Sequence, residues 1–211
     1  MARKGFSQVI INDVPLKKWL RGQVMPEMIR SFIAFDMNDE SVLRHLSEVQ
    51  RMLMNTGAGL KLVKTQNIHI TMRFLGNISL SMVDSIHEEM KELNFTSLDV
   101  EIKGVGAFPS LRYARVVWAG IRKGADALTN IFNQLEPRLR GLGIRPDPKG
   151  FSPHLTIARV KTGRHKSELV RCVQDLVDYE FGVIRADCLR LKKSVLTPRG
   201  PVYSTMREVC R

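Results

Sequence analysis

From residue 31 onward the chain alternates between two hydrophobic periods, and the alternation occurs twice. Residues 31–36 form a short apolar run of strand length. A stretch opened by Asn38 or Asp39 follows, with Val42, Leu43, Leu46, Val49 and Leu53 on one helical stripe, ending at Gly57 and Gly59. Residues 60–63 read as an edge strand. Asn67-Ile68-His69-Ile70-Thr71-Met72-Arg73-Phe74 then alternates strictly, with Ile68, Ile70, Met72 and Phe74 expected inward and His69 and Thr71 outward. A turn is expected at Leu75-Gly76-Asn77, then a helix from Ser79 or Ser81 with Met82, Val83, Ile86, Met90 and Leu93 inward, and a strand over 98–105.

The second half repeats the order. A strand over 113–121 precedes a helix over 125–139, with Leu128, Ile131, Phe132 and Leu135 inward. A loop rich in Pro and Gly, 141–150, leads into Phe151-Ser152-Pro153-His154-Leu155-Thr156-Ile157-Ala158-Arg159, again a strand with His154 and Thr156 on its polar face. A helix over 166–177, one long strand over 181–196, and a hairpin turned at 197–201 into 202–208 complete the chain. The halves share pattern rather than letters, which predicts pseudo-symmetric lobes.

The amount of chain, 211 residues, suffices for one large domain or two small lobes with a full core. A net charge of +12 favours an anionic partner such as nucleic acid or a phosphorylated ligand. Residues 1–27 are expected to be a basic tail (Arg3, Lys4, Lys17, Lys18 and Arg21 against Asp13 and Glu27) with a short helix near 16–20, or an artefact of a start that belongs at Met28. Cys172, Cys188 and Cys210 stand far apart in no metal-ligand spacing, a distribution expected of a reducing cytosol rather than a disulfide framework. No apolar run reaches the length of a membrane span and no secretory leader is evident, so the expected place is the cytoplasm. With no heptad or broad apolar stripe, a monomer is expected.

His45 and His87 fall within helices without partner motifs and read as solvated. His165 lies in a basic loop, better placed near a phosphate than for catalysis. His69 and His154, 85 residues apart, are each followed two residues later by Thr on a strand face. Two imidazoles facing one cleft suit a reaction in which one proton is taken as another is given. Thr71 and Thr156 can donate to phosphate oxygens between them. No carboxylate or thiol cluster accompanies the pair, so neither a metal nor another cofactor is expected. Gly104, Gly106, Gly141 and Gly143 read as turn glycines rather than a nucleotide cradle. Arg138, Arg140, Arg145, Lys149, Arg159, Lys161, Arg164 and Lys166 bracket the second motif as a field that would attract RNA. Strict alternation puts Arg159 on the face opposite His154, so it reaches the site only where the strand twists, bulges or ends.

His69-Ile70-Thr71-Met72-Arg73-Phe74-Leu75-Gly76 and Pro153-His154-Leu155-Thr156-Ile157-Ala158-Arg159 resemble the paired H-x-T-x motifs of the two-histidine phosphoesterases. Within that superfamily the chain resembles the RNA 2′,3′-cyclic phosphodiesterases, also called the 2′–5′ RNA ligase family. Arg30-Ser31-Phe32-Ile33-Ala34-Phe35-Asp36 is similar to that family's opening strand. Phe108-Pro109 with Arg115-Val116-Val117-Trp118-Ala119-Gly120 is similar to its middle segment, and Ser194-Val195-Leu196 with Gly200-Pro201-Val202-Tyr203 to its ending. The resemblance covers residues 28–211 and implies an α+β fold of two pseudo-symmetric lobes, roughly 28–110 and 111–211, intertwined. Each would be an antiparallel sheet with outer helices, facing the other across a cleft. It implies metal-independent hydrolysis of RNA-terminal 2′,3′-cyclic phosphate to a 2′-phosphomonoester. His69 would be proton donor and His154 proton acceptor, with Thr71, Thr156 and Arg159 on phosphate oxygens. Taken alone, the sequence leaves the two histidines equivalent. Phe74 holds the family's aromatic position, but its parity assigns it to the core. The competing readings are 2′–5′ ligation as the reverse reaction, an RNA end-binding module with little turnover, and a different small cyclic phosphate.

Overall fold

In a computed structural model, residues 27–148 and 150–211 are described; the expectations for the basic tail and for Lys149 lie outside them. Among the described residues, nine strands and four α-helices follow one another as β1 Met28–Asp36, α1 Glu40–Asn55, β2 Leu60–Leu62, β3 His69–Ser79, α2 Met82–Lys91, β4 Leu98–Phe108, β5 Val116–Ile121, α3 Ala125–Gly141, β6 His154–Val160, α4 Lys166–Asp175, β7 Glu180–Ala186, β8 Cys188–Thr197 and β9 Gly200–Cys210. The helices form where the stripes predict. In α1, Asp39 Oδ1 accepts from the Val42 N–H at 2.8 Å and caps the first turn, and Val42, Leu46, Val49 and Leu53 are buried on one side.

The sheet runs β7-β4-β5-β6-β3-β1-β8-β9 with every pairing antiparallel, and β2 is added on β6. Its centre is a single registered pair, Ile70 opposite Leu155, where β3 meets β6. Each half of the order is four strands deep. The chain halves exchange strands: β4 pairs with β5, and the β8–β9 hairpin returns so that β8 pairs with β1. The result is an α+β fold of two pseudo-symmetric antiparallel halves, curled, with the helices outside. Ile33, Phe35, Ile70, Met72, Val117, Ala119, Leu155 and Ile157 point to the helices and share one apolar core with Leu46, Ile86, Leu135 and Leu169. The other face, carrying the alternate residues, is the cleft.

Three local expectations are corrected. β3 does not turn at residues 75–77 but runs to Ser79, because Met28–Ser31 supplies a partner for Gly76–Ser79. The single strand expected over 181–196 is two, broken at Asp187: β7 pairs with β4 at one end of the sheet and β8 with β1 in the other half. Continuous β-forming sequence does not reveal a change of neighbour. Cys188 and Cys210 are directly opposed in the β8–β9 hairpin, Cα atoms 4.0 Å apart, and form a disulfide. Residues 22 apart in sequence are thereby joined, and cysteine scatter no longer argues for a reducing compartment. No helix among the described residues is long and apolar enough to cross a membrane.

Candidate active site

The central bridge sets the site. Ile70 and Leu155 are fully buried toward the helices, so the residues flanking each of them face the cleft. Continuing the antiparallel register from this bridge sets His69 against Thr156 and Thr71 against His154, a near two-fold arrangement of two imidazoles and two hydroxyls. All four side chains are half-buried.

The imidazoles are held alike. His69 Nδ1 lies 2.8 Å from the Asn67 carbonyl oxygen, and His154 Nδ1 lies 2.7 Å from that of Ser152. A carbonyl can only accept, so in both rings Nδ1 carries the proton and Nε2 is left toward the cleft. His69 stacks on Phe32 with centroids 4.8 Å apart and meets the edge of Tyr203 at 5.4 Å. His154 packs edge-on against Phe108 at 5.0 Å, beside Trp118, which is registered opposite Thr156. Trp118 lies across Gly106, where a Cβ would stand 2.2 Å from the indole. Gly106 is thus a strand glycine opposite Trp118 and not a turn.

Burial pushes the His69 imidazole down to about 4, opposed by the hydrogen bond to Asn67 and by the Asp36 carboxylate. Asp36 is registered opposite His69 and held by Lys192 Nζ at 2.5 Å and 2.6 Å. Burial also lowers His154, with the Ser152 hydrogen bond opposing it and the Arg159 charge adding to it. Both rings are therefore neutral near pH 7 in the unliganded protein.

Beyond the histidines, a bulge in each strand changes which residues face the cleft. On β3, Ile33 and Ala34 oppose Arg73 and Thr71, leaving Met72 as the extra residue; on β6, Val117 and Trp118 oppose Ala158 and Thr156, leaving Ile157 extra. Met72 and Arg73 are consequently both buried, as are Ile157 and Ala158, and the following residues, Phe74 and Arg159, turn outward. Arg159 thus reaches the cleft face by the bulge that its position requires, and its charge is felt at both His154 and Tyr203. The core assignment of Phe74 is corrected: its side chain is 53% exposed, and its ring stands 6.1 Å from Phe32.

The other candidates separate. Arg73, next to Phe74, is only 5% exposed; its Nε donates to Glu136 at 2.6 Å, and the guanidinium also reaches the carbonyls of Phe74 and Arg145. It ties β3 to α3 and to the loop that leads to His154. Arg138 and Arg140 are engaged by Glu89 and Glu136, so the basic field bracketing the second motif is not one surface. His45 is not merely solvated, because its Nδ1 lies 2.7 Å from the Phe181 carbonyl. His87 meets the Glu208 carbonyl at 3.1 Å. His165 occupies the N-cap position of α4 in a left-handed conformation, without a side-chain capping bond, and its ring lies against Gly57. Among the described residues, one trio of metal-type ligands lies within reach of itself, Cys188, Glu208 and Cys210, and its thiols are joined as the disulfide.

Phe32, Tyr203, Trp118 and Asp36 escape a reading of the two motifs. Phe32 and Asp36 come from β1, the neighbour of β3, Trp118 from β5, the neighbour of β6, and Tyr203 from β9 at the edge of the sheet; none carries a local signal beyond an aromatic or acidic residue at a cleft-facing parity.

The profile of the LigT-like phosphoesterase family matches residues 37–118 and 120–203, one stretch for each histidine motif. An Aeropyrum pernix protein named RNA 2′,3′-cyclic phosphodiesterase is 37% identical over 164 residues, covering 78% of this chain and 93% of its own. A Methanothermobacter thermautotrophicus protein of the same name is 33% identical, covering 87% and 98%. A solved structure from Thermus thermophilus superposes with TM-score 0.70 at 24% identity over 86% of this chain and 97% of its own. Escherichia coli LigT in its apo form superposes with TM-score 0.68 at 21% identity, covering 87% and 98%.

Proposed function

The chain belongs to the LigT-like phosphoesterase family, and on that footing we propose that it hydrolyses 2′,3′-cyclic phosphate at an RNA terminus to a 2′-phosphomonoester without a metal ion. The observation that carries this reading is the matched pair of imidazoles, His69 and His154, each with its Nδ1 proton given to the carbonyl two residues back and its Nε2 toward one cleft. The relatives' names supply the substrate, and the positive charge of the chain suits it.

In the proposed reaction His154 Nε2 takes a proton from water as the water oxygen bonds to phosphorus. The P–O3′ bond breaks, and His69 Nε2, protonated in the complex, gives its proton to the leaving 3′ oxygen. Thr71 and Thr156 hydroxyls hold the nonbridging oxygens in line, and Arg159 offsets their charge. Local charges support this division of roles. Asp36 favours a proton on His69, although burial, Lys192 and His154 all oppose it, and Arg159 disfavours one on His154. An anionic phosphate bound between the rings then raises the first from its depressed resting value. The imidazoles have no third metal-type ligand gathered on them among the described residues, which supports a proton-transfer site over a metal centre.

The test is a short RNA ending in 2′,3′-cyclic phosphate, incubated in excess EDTA, with the product resolved as 2′- or 3′-phosphate and His69→Ala and His154→Ala run alongside. A 2′-phosphate formed under chelation and lost in both variants supports the reading. RNA binding without turnover, unchanged in both variants, leaves an end-binding module instead.

A further inference from the structure

At the far end of β6 from His154 lies a second site. A cavity of about 440 Å³ opens where Val160 and the residues after it meet α4 and the turn before β5. Five cations line it: Arg112, Arg115, Lys161, Arg164 and Lys166. All five are exposed, and none belongs to an ion pair among the described residues. This contrasts with Arg73, Arg138, Arg140, Arg190 and Arg207, which all hold carboxylates. Tyr113 stands among the cations, 63% exposed, with Lys166 Nζ 5.2 Å and Arg112 Cζ 5.8 Å from its ring centroid.

Five uncompensated like charges gathered in one concavity repel one another, an arrangement that an anion relieves. An exposed ring among cations is the composition that grips single-stranded nucleic acid, phosphates on the charges and a base on the aromatic face. The strand supplies the path. From His154 to Lys161 is seven residues of extended chain, about 23 Å, with Arg159 on the cleft face between them. That span is longer than one nucleotide and suits several.

We propose that this cavity is a docking site for the RNA strand upstream of the terminal cyclic phosphate, so that the protein reads an RNA chain and not merely its last nucleotide. The proposal rests on the phosphodiesterase reading for its substrate and adds to it a determinant of polymer preference remote from the reacting atoms.

The experiment compares kcat/KM for a nucleoside 2′,3′-cyclic monophosphate with that for a ten-nucleotide RNA bearing the same terminus. Wild type is set against the double variants Lys161→Gln/Arg164→Gln and Arg112→Gln/Arg115→Gln. Wild type is expected to favour the oligomer at least tenfold. Each variant should lose most of that preference while leaving mononucleotide turnover within twofold of wild type. The slope of log(kcat/KM) against log[salt] for the oligomer should fall by roughly 0.7 for each phosphate that a variant no longer neutralises. No oligomer preference in wild type, or one the variants retain, overturns the proposal while leaving the phosphodiesterase reading intact. If neither substrate turns over, that reading fails. The docking site is then decided by binding of the same fluorescently labelled oligomer: weakened in the variants it stands, unchanged it falls.

Discussion

Phe74 and Arg159 hold equivalent places in the two halves, each five residues beyond a histidine and each turned onto the cleft face by one extra residue in its strand. The bulges at Met72 and Ile157 place an aromatic ring on one side of the pseudo-symmetric site and a guanidinium on the other. The symmetry of the imidazoles and hydroxyls is thus broken at the rim, where a substrate with a phosphate at one end and a base beside it needs two different partners. Arg159→Gln is expected to lower kcat/KM roughly ten- to hundredfold through loss of a charge-assisted contact. Phe74→Ala should raise KM by the ~1–3 kcal/mol of one stacked base with little change in kcat. Steady-state kinetics on a cyclic-phosphate RNA separate the two, and equal effects of both on kcat alone would contradict these roles.

The division of labour between the histidines is open to a leaving-group test. Each alanine variant is expected to lose on the order of 10²–10⁴ in kcat on the natural ester. When sulfur replaces the 3′ bridging oxygen, the leaving group departs without a proton. His69→Ala should then recover most of the wild-type rate and His154→Ala should not. Recovery by His154→Ala alone would exchange the two roles.

The depressed His69 pKa has a consequence for stability. In the unfolded chain the imidazole titrates near 6.5, whereas in the folded protein it titrates at about 4, so between these values the unfolded state binds more protons. Stability is therefore complete above pH ~6.5 and declines as the pH falls toward 4, by as much as about 3 kcal/mol from this residue. His154, lowered for the same reason, acts in the same direction. Urea unfolding at pH 7.5 and pH 4.5 should show a smaller pH dependence in His69→Ala than in wild type. An equal dependence would mean that His69 titrates normally in the folded protein.

Arg73 and Glu136 form a buried ion pair at 2.6 Å, 5% and 11% exposed. Their other charged neighbours stand further off, Arg140 at 3.4 Å from Glu136 and Asp147 at 3.9 Å from Arg73. Arg73→Met leaves Glu136 short of its nearest counter-charge and is expected to cost about 3–5 kcal/mol in chemical denaturation. Adding Glu136→Leu should recover much of that loss, because the desolvated charge is then gone too. A single variant as stable as wild type would assign the pair no structural weight.

How far the sequence reaches is clearest at these same residues. Thr71-Met72-Arg73-Phe74 alternates polar and apolar without a flaw, yet the structure inverts its end, burying Arg73 and exposing Phe74. In Ile157-Ala158-Arg159 the condition was legible: strict alternation set Arg159 opposite His154, so it could reach the cleft only where the strand twists, bulges or ends. Alternation is a property of one strand, whereas a bulge is fixed by the hydrogen bonds of its neighbour, here β1 for β3 and β5 for β6.

Two His-x-Thr strands and the helices between them were legible in the amino-acid sequence from short-range periodicity and residue identity, and the resemblance of the two motifs to a known family implied the antiparallel halves. Tertiary structure alone decided which residues surround the imidazoles, the crossing of β4 and β8 between the halves, the Cys188–Cys210 bond, and the division of the basic residues into paired and unpaired sets. These depend on which distant segments become neighbours. That outcome is set by the collective burial of one core and not by any local stretch.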